Sequence, residues 1–188
     1  MEGVRFIDRS FGNAPAWKRL IVESNIPQSL LPLKEISRNL WWTWNTKARE
    51  LFEYIDPVIW EEAAHNPVVL LERVSFSRFS ELEKDEEFRY KLDWVYNDLR
   101  NYISERRNNE GNKIAYFSME YGIHDSLKIF SGGLGVLAGD YLKEASDSKI
   151  NMVAVGLLYR YGYFKQTLNN KGEQIANYEP EEFSKIPV

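Results

Sequence analysis

The chain has 188 residues, 24 Lys and Arg against 28 Asp and Glu, a formal net charge of −4 and no cysteine. The acidic balance argues against a nucleic-acid partner, which needs a dense Lys/Arg surface. The missing thiols exclude disulfides and thiolate metal sites, and two histidines, His65 and His124, are too few for a multi-histidine centre, so no metal is expected. Hydrophobic residues make up 44% and aromatics 14%, enough for a packed core. No apolar run is long enough to cross a bilayer and no signal-peptide core opens the chain, so the expectation is a soluble cytoplasmic protein with no membrane partner.

The first region, to about Gly111, reads as mostly helical. Leu33, Ile36, Leu40 and Trp44 recur at helical spacing. Asp56-Pro57 and Asn66-Pro67 each read as an N-cap followed by proline at the first helical position, where no amide hydrogen is missed. Ser80 with Glu83 fits a capping box. Phe88, Leu92, Val95, Leu99 and Tyr102 form one apolar stripe on a long helix that ends in SERRNNEGN, a polar stretch that makes the best domain boundary. Trp41, Trp42, Trp44 and Trp60 could be sugar platforms, but core of a helical domain is the stronger reading.

The period then changes. KIAYFS, residues 113–118, and NMVAVGLLY, residues 151–159, read as buried strands. Between them lies a glycine loop and a helix with Leu134, Leu137, Ala138, Leu142 and Ala145 on one side. Strand, helix and strand in this order predict a parallel βαβ unit. The following YGYFKQTLNNKGEQIANYEP predicts a hairpin turning near Asn170–Gly172. This is too little sheet for a complete α/β domain, so the sequence is expected to be the N-terminal part of something larger.

The chemistry concentrates in SGGLG, residues 131–135. A helix start offers unpaired amides and a partial positive charge, and glycines let a ligand approach the backbone. The loop is not a P-loop, since no Gly-Lys-Ser/Thr follows, and it fits the dinucleotide fingerprint poorly because Gly139 comes one residue late. Taken alone it is as readily a tight turn as an anion or sugar cradle.

Its neighbours separate these readings. KIAYFSMEYGIHDSLKIFSGGLGVLAGDYLKEASD, followed by VAVGLLYRYGYFKQTLNNKGEQIANYEP, resembles the start of the catalytic region of the α-glucan (glycogen, starch and maltodextrin) phosphorylases. LKEISRNLWWTWNTKARELFEYIDPVIWEEAAHNPVVLLERVS resembles the helical domain ahead of that region in the shorter bacterial members. The resemblance implies a mixed α and α/β fold. Residues 1–111 would be the helical N-terminal domain, and 112–188 the beginning of the Rossmann-like N-terminal lobe of a two-lobed (GT-B) glycosyltransferase fold. It implies phosphorolysis of the terminal α-1,4 bond of a glucan by inorganic phosphate, giving α-glucose 1-phosphate with retained configuration. It also implies pyridoxal phosphate on a lysine outside this chain, and a C-terminal lobe of the same enzyme as partner, with a homo-oligomer left open.

By motif, the amides of Gly133 and Leu134 would face the substrate phosphate and glucosyl unit, with Gly132 and Gly135 permitting the turn. Glu120 would sit near the site, and His124 and Asp140 are weaker candidates, His124 reading better as a loop residue with a local hydrogen bond. No counterpart of the cofactor lysine or of the cationic clamp on the substrate phosphate is found, and Lys143, Lys149 and Lys165 stand in the wrong context. The chain alone is therefore expected to be inactive. Arg160 and Lys165 would flank the hairpin. A glycogen or starch synthase is the alternative enzyme, but it would need a lysine before the glycines, where Phe130 and Ser131 stand. A non-catalytic glucan-binding or oligomerisation module is the third reading.

Overall fold

Side-chain caps set the starts of most helices in the first half of the chain. The computed structural model describes residues 4–7, 19–22, 26–106 and 112–188. Val4–Ile7 (β1) and Arg19–Val22 (β2) pair antiparallel ahead of the helices, within a stretch expected to be mostly helical. Six helices follow: Pro32–Ser37 (α1), Thr46–Ile55 (α2), Pro57–Glu62 (α3), Pro67–Arg73 (α4), Phe76–Leu82 (α5) and Glu86–Arg106 (α6). Asp56 Oδ1 accepts from the amides of Val58 and Ile59 at 3.0 and 2.9 Å, and Asn66 Oδ1 from those of Val68 and Val69 at 3.0 and 3.3 Å. Pro57 and Pro67 occupy the first turn, as the Asp-Pro and Asn-Pro pairs predict.

Two helix readings need correction. Ser80 caps nothing: it lies inside α5, where its hydroxyl donates to Phe76 O at 3.0 Å. The caps are Ser75, which accepts from the Arg78 amide, and Asp85, which accepts from the Phe88 amide. The Phe88 amide, and then the Tyr54 hydroxyl, hold the Asp85 carboxyl below its ordinary range. The stripe from Leu33 to Trp44 is not one helix either. Asn39 interrupts it, accepting from the Trp41 amide at 3.0 Å and starting a separate 3-10 turn over Leu40–Thr43. That offset buries Trp41 and Trp42 and leaves Leu40 and Trp44 half-buried.

One apolar cluster joins α1 to α6. It includes Leu33, Ile36, Trp42, Phe52, Trp60 and Phe79, with Phe88, Leu92, Val95 and Leu99 from the expected stripe of α6. Trp41, Trp42 and Trp60 are core, as expected. The SERRNNEGN boundary falls largely on residues 107–111, outside the described residues.

The second half contains the expected βαβ unit. Ile114–Phe117 (β3) and Met152–Val155 (β4) are parallel, in the register Ile114 to Met152, and Gly133–Asp147 (α7) connects them. Lys165–Leu168 (β5) and Gln174–Asn177 (β6) form the hairpin, with Gly172 at φ +78° in its turn. The chain is thus mixed α and β, mainly helical with a small parallel sheet.

The burial differs from the expectation. β3 and β4 are largely exposed, where buried strands were expected. Of the side read for the helix, Ala138 and Ala145 are buried and Leu142 is half-buried, but the two leucines of its first turns are not. Leu134 and Leu137 are 60% and 69% exposed, and the inward positions are Gly135, Ala138, Gly139 and Ala145. The reason is steric. Gly122 lies directly against the helix, its amide donating to Gly135 O at 2.7 Å, and a Cβ on Gly139 would stand 2.2 Å from Gly122 O.

Polar contacts seam the two halves. Asp147 Oδ1 accepts from Trp44 Nε1–H at 3.0 Å and from the Tyr102 hydroxyl at 2.7 Å. Lys149 pairs with Glu105 at 2.6 Å, and Asn66 Nδ2 donates to Lys185 O at 2.9 Å. The His124 ring packs edge-on to Trp42, with centroids 4.7 Å apart. Its Nδ1 accepts from the Ser126 amide at 3.1 Å, which is the local hydrogen bond expected of it. Burial lowers the His124 pKa from the ordinary histidine value.

Two predictions follow from this packing. Gly139→Ala gains about 1 kcal/mol of helix propensity, but its methyl meets a backbone oxygen that cannot rotate away. A net loss of roughly 2 kcal/mol is expected in urea unfolding, whereas Gly132→Ala, with open space around it, changes little. The second concerns pH. The folded state favours neutral His124, so its contribution to stability is complete above the unfolded value of about 6.5 and falls as pH drops through and below it. His124→Gln is expected to flatten that acid-side slope in melts between about pH 7 and 5; an unchanged slope would count against the burial argument.

Candidate functional site

α7 starts at the ends of the parallel strands, the usual location of ligand sites in open α/β sheets. Gly132 is its N-cap and offers no side chain, so no side-chain cap bond forms there among the described residues. The amides of Gly133, Leu134 and Gly135 therefore precede any helical carbonyl that could accept them. A Cβ built on Gly132 or Gly133 meets nothing within 4 Å, so the approach to these amides is open.

The glycines do different work from the turn expected of them. Gly132 is extended, with φ and ψ both −164°, a conformation any residue adopts. Gly135 is required by packing, since a Cβ there would lie 2.6 Å from Phe130 Cβ and 3.0 Å from Glu120 Oε2. The loop is thus open on one side and pressed against Phe130 and Glu120 on the other.

Glu120 joins the glycines. It follows β3 by three residues, and Tyr121, next to it, anchors that strand end: its buried hydroxyl donates to Tyr116 O at 2.7 Å and lies 3.3 Å from Val155 O. Burial raises the Tyr121 pKa. From this fixed base the Glu120 carboxylate reaches Ser131, accepting from its amide at 3.3 Å and from its hydroxyl at 3.1 Å. A carboxylate beside a helix start is favoured by the helix dipole. Its bonds go to Ser131, and the exposed amides of Gly133 and Leu134 stay uncapped and open to a ligand.

A cleft of about 250 Å³ adjoins this loop, lined by Glu120, Lys128, Ser131, Tyr159, Tyr161 and Tyr163, among others. The residue reading missed Lys128, Ser131 and the tyrosines. The tyrosines had a signal: they alternate in Tyr-Arg-Tyr-Gly-Tyr, the period that puts side chains on one side of an extended chain. Tyr159 donates its hydroxyl to Met119 O at 3.1 Å, and Lys128 pairs with Glu181 at 2.8 Å. The hollow offers a carboxylate acceptor and aromatic faces, and the uncapped amides of the helix start follow two residues beyond its Ser131 edge.

The other candidates lie elsewhere. His124 is turned toward Trp42 and the helical core. Asp140 is exposed in α7 and 3.7 Å from Lys143. Lys165 pairs with Glu179 across the hairpin at 3.3 Å. No cluster of three or more metal-ligating side chains occurs among the described residues, and none of their helices is long and apolar enough to cross a membrane.

Comparison with known proteins is consistent across the chain. It is 42% identical over 175 residues to a protein named glycogen phosphorylase from Mycobacterium tuberculosis, an alignment covering 87% of this chain and 20% of that protein. It is 41% identical over 177 residues to a maltodextrin phosphorylase from Thermococcus litoralis, covering 89% of this chain and 21% of the relative. A glycogen phosphorylase from Aquifex aeolicus is 41% identical over 145 residues, 76% of this chain and 21% of that protein. The chain thus spans about a fifth of the length of the curated relatives it matches. No solved structure gives a significant match. The resemblance read from the motifs is therefore matched by relatives named phosphorylase, and, with residues 26–127 fitting its model, the chain belongs to the family described as "Protein of unknown function (DUF3417)".

Proposed function

We propose that this chain is the N-terminal part of an α-glucan phosphorylase, and that the start of α7 binds the substrate phosphate and the glucosyl unit it attacks. The observation that carries the reading is the open pair of amides at Gly133 and Leu134 beside a braced Glu120. In this reading residues 1–111 are the helical N-terminal domain and 112–188 begin the N-terminal lobe of a two-lobed glycosyltransferase fold. The glucan is glycogen or maltodextrin, and a C-terminal lobe of the same enzyme closes the cleft.

Each group has a part suited to its chemistry. As the glycosidic bond breaks, the leaving oxygen takes a proton from the substrate phosphate, so negative charge rises on the phosphate until one of its oxygens bonds to the glucosyl carbon, and amide dipoles already fixed in a helix start stabilise that charge without reorganising. Glu120 repels an anion and accepts from hydroxyls, so the sugar takes its side of the hollow and the phosphate takes the amide side. Tyr159, Tyr161 and Tyr163 add ring faces for the sugar.

Pyridoxal phosphate belongs to this proposal as a group held by a lysine outside these residues. Lys149 and Lys165 do not fit it: a Schiff-base lysine is desolvated, whereas these are 51% and 64% exposed. When bound, the group would contribute its own phosphate to the chemistry.

The test is an assay of the whole protein carrying this chain for glucose 1-phosphate formed from maltodextrin and inorganic phosphate. Gly133→Pro removes one amide at a helix position that tolerates proline, behind an extended residue that suits it. It is expected to lower kcat by about 10²–10³ with an unchanged melting temperature, while Gly133→Ala, which keeps the amide, loses little. Full activity in Gly133→Pro would remove the amide from the site. Absence of glucose 1-phosphate in the parent would sink the function itself.

A further inference from the structure

The seam between the helical half and the βαβ unit holds a cavity of about 380 Å³, larger than the cleft at the glycine loop. Its lining includes Asn39, Trp41, Trp44, Tyr102, Ser146 and Lys149. An adjoining hollow of about 200 Å³ shares Trp44 and Ser146, so the indole of Trp44 borders both. We propose that this seam cavity is a second binding site, separate from the glycine loop, for a neutral oligosaccharide of one or two α-linked glucosyl rings.

Three features of the lining carry the assignment. The first is charge. Lys149 is paired with Glu105 at 2.6 Å, and the Asp147 carboxylate behind the wall already accepts from Trp44 and Tyr102. Among the described lining residues the charged one is Lys149, and its ion pair with Glu105 favours a neutral ligand over an ionic one. The second is shape. The hydrogen bonds at their polar ends hold the Trp44 and Tyr102 rings in place, and Trp41 packs 5.9 Å from Tyr102. Rigid aromatic walls of this kind suit the C–H faces of a hexose. The third is directional hydrogen bonding. Asn39, in the lining, spends its carbonyl oxygen on the Trp41 amide, so the group it has left to offer a ligand is its amide nitrogen, a donor. The volume lies at the small end of the range for ligand pockets, consistent with one or two rings.

Lys149 shows that the wall is built. It is the residue just beyond α7 that closes the helix end, with the Ile150 amide donating to Ala145 O at 2.9 Å, and its φ is +57°, where glycine is usual. A lysine there costs roughly 1 kcal/mol or more. Its ion pair with Glu105 of α6 ties the cavity wall across the seam. The neutral, polyhydroxylated class of ligand follows from the lining; the choice of an α-glucan rests on the function proposed above.

The test titrates the 188-residue chain with maltose and maltotriose by calorimetry and tryptophan fluorescence, with cellobiose, glucose 1-phosphate and inorganic phosphate as separate arms. Saturable binding of the α-linked sugars is expected. Asn39→Asp keeps the capping oxygen, and with it the fold, but removes the amide donor; it should weaken binding by about tenfold or more. Trp44→Leu should weaken it further, and Gly133→Pro in the same chain should leave it unchanged. No saturable response to either maltosaccharide would overturn the proposal. So would unaltered binding in Asn39→Asp, or glucose 1-phosphate binding more tightly than maltose. Each of those results can occur while the whole protein still releases glucose 1-phosphate, so the cavity and the phosphorylase reading fail separately.

Discussion

The close approach of Gly122 to α7 is the constraint on which the second half depends. With hydrogen in place of a side chain at positions 122, 135 and 139, the loop after β3 lies directly on the helix, and the Gly122 amide bonds to Gly135 O at 2.7 Å. That contact fixes Glu120, two residues earlier, against Ser131 at the helix start. Larger residues on this face would lift the loop away, and with it the only carboxylate among the lining residues of the cleft.

The two halves are stabilised differently. The helical half has its own apolar core, with Trp42, Phe52, Phe79 and Phe88 fully buried. The strand half buries mostly small residues and leaves Phe117, Val153, Leu157 and Leu158 exposed. What ties them is a polar seam through Trp44, Tyr102 and Asp147, with one aromatic contact from Trp42 to His124. Polar ties contribute little net free energy each, but leaving one partner buried and unmatched is costly. The seam therefore specifies one relative placement more than it adds stability. The span that fits the family, 26–127, crosses it by including β3 and Glu120 with the helices.

How far the sequence could be read depended on whether the deciding force was local. Asp56-Pro57 and Asn66-Pro67 were legible because a cap and a proline act within one turn. The hairpin was legible for the same reason: Asn169 and Gly172 build its turn themselves. Ser80 misled because the residues on either side of it, Ser75 and Asp85, are equally good caps and start the two helices, which leaves Ser80 inside the first of them. On α7 the expected side holds at Ala138, Leu142 and Ala145 and fails at Leu134 and Leu137. Leucines normally face inward, but here a backbone segment occupies the inner face and admits only small residues. The glycine loop and Glu120 were legible as motif, whereas the cleft depends on Lys128 and three tyrosines brought in by tertiary packing.

Because α7 is held at both ends, it acts as a strut. Its first turn is pinned through Gly135 to Gly122, and its last residue, Asp147, is bolted to Trp44 and Tyr102. Fifteen residues of uninterrupted helix without proline form a stiff rod about 22 Å long. A rod of that kind shifts or rotates as one piece, so displacement at the Asp147 end would reach the glycine loop undiminished. Stiffness along this axis makes the geometry of the open amides a property of the whole seam, not of the loop alone.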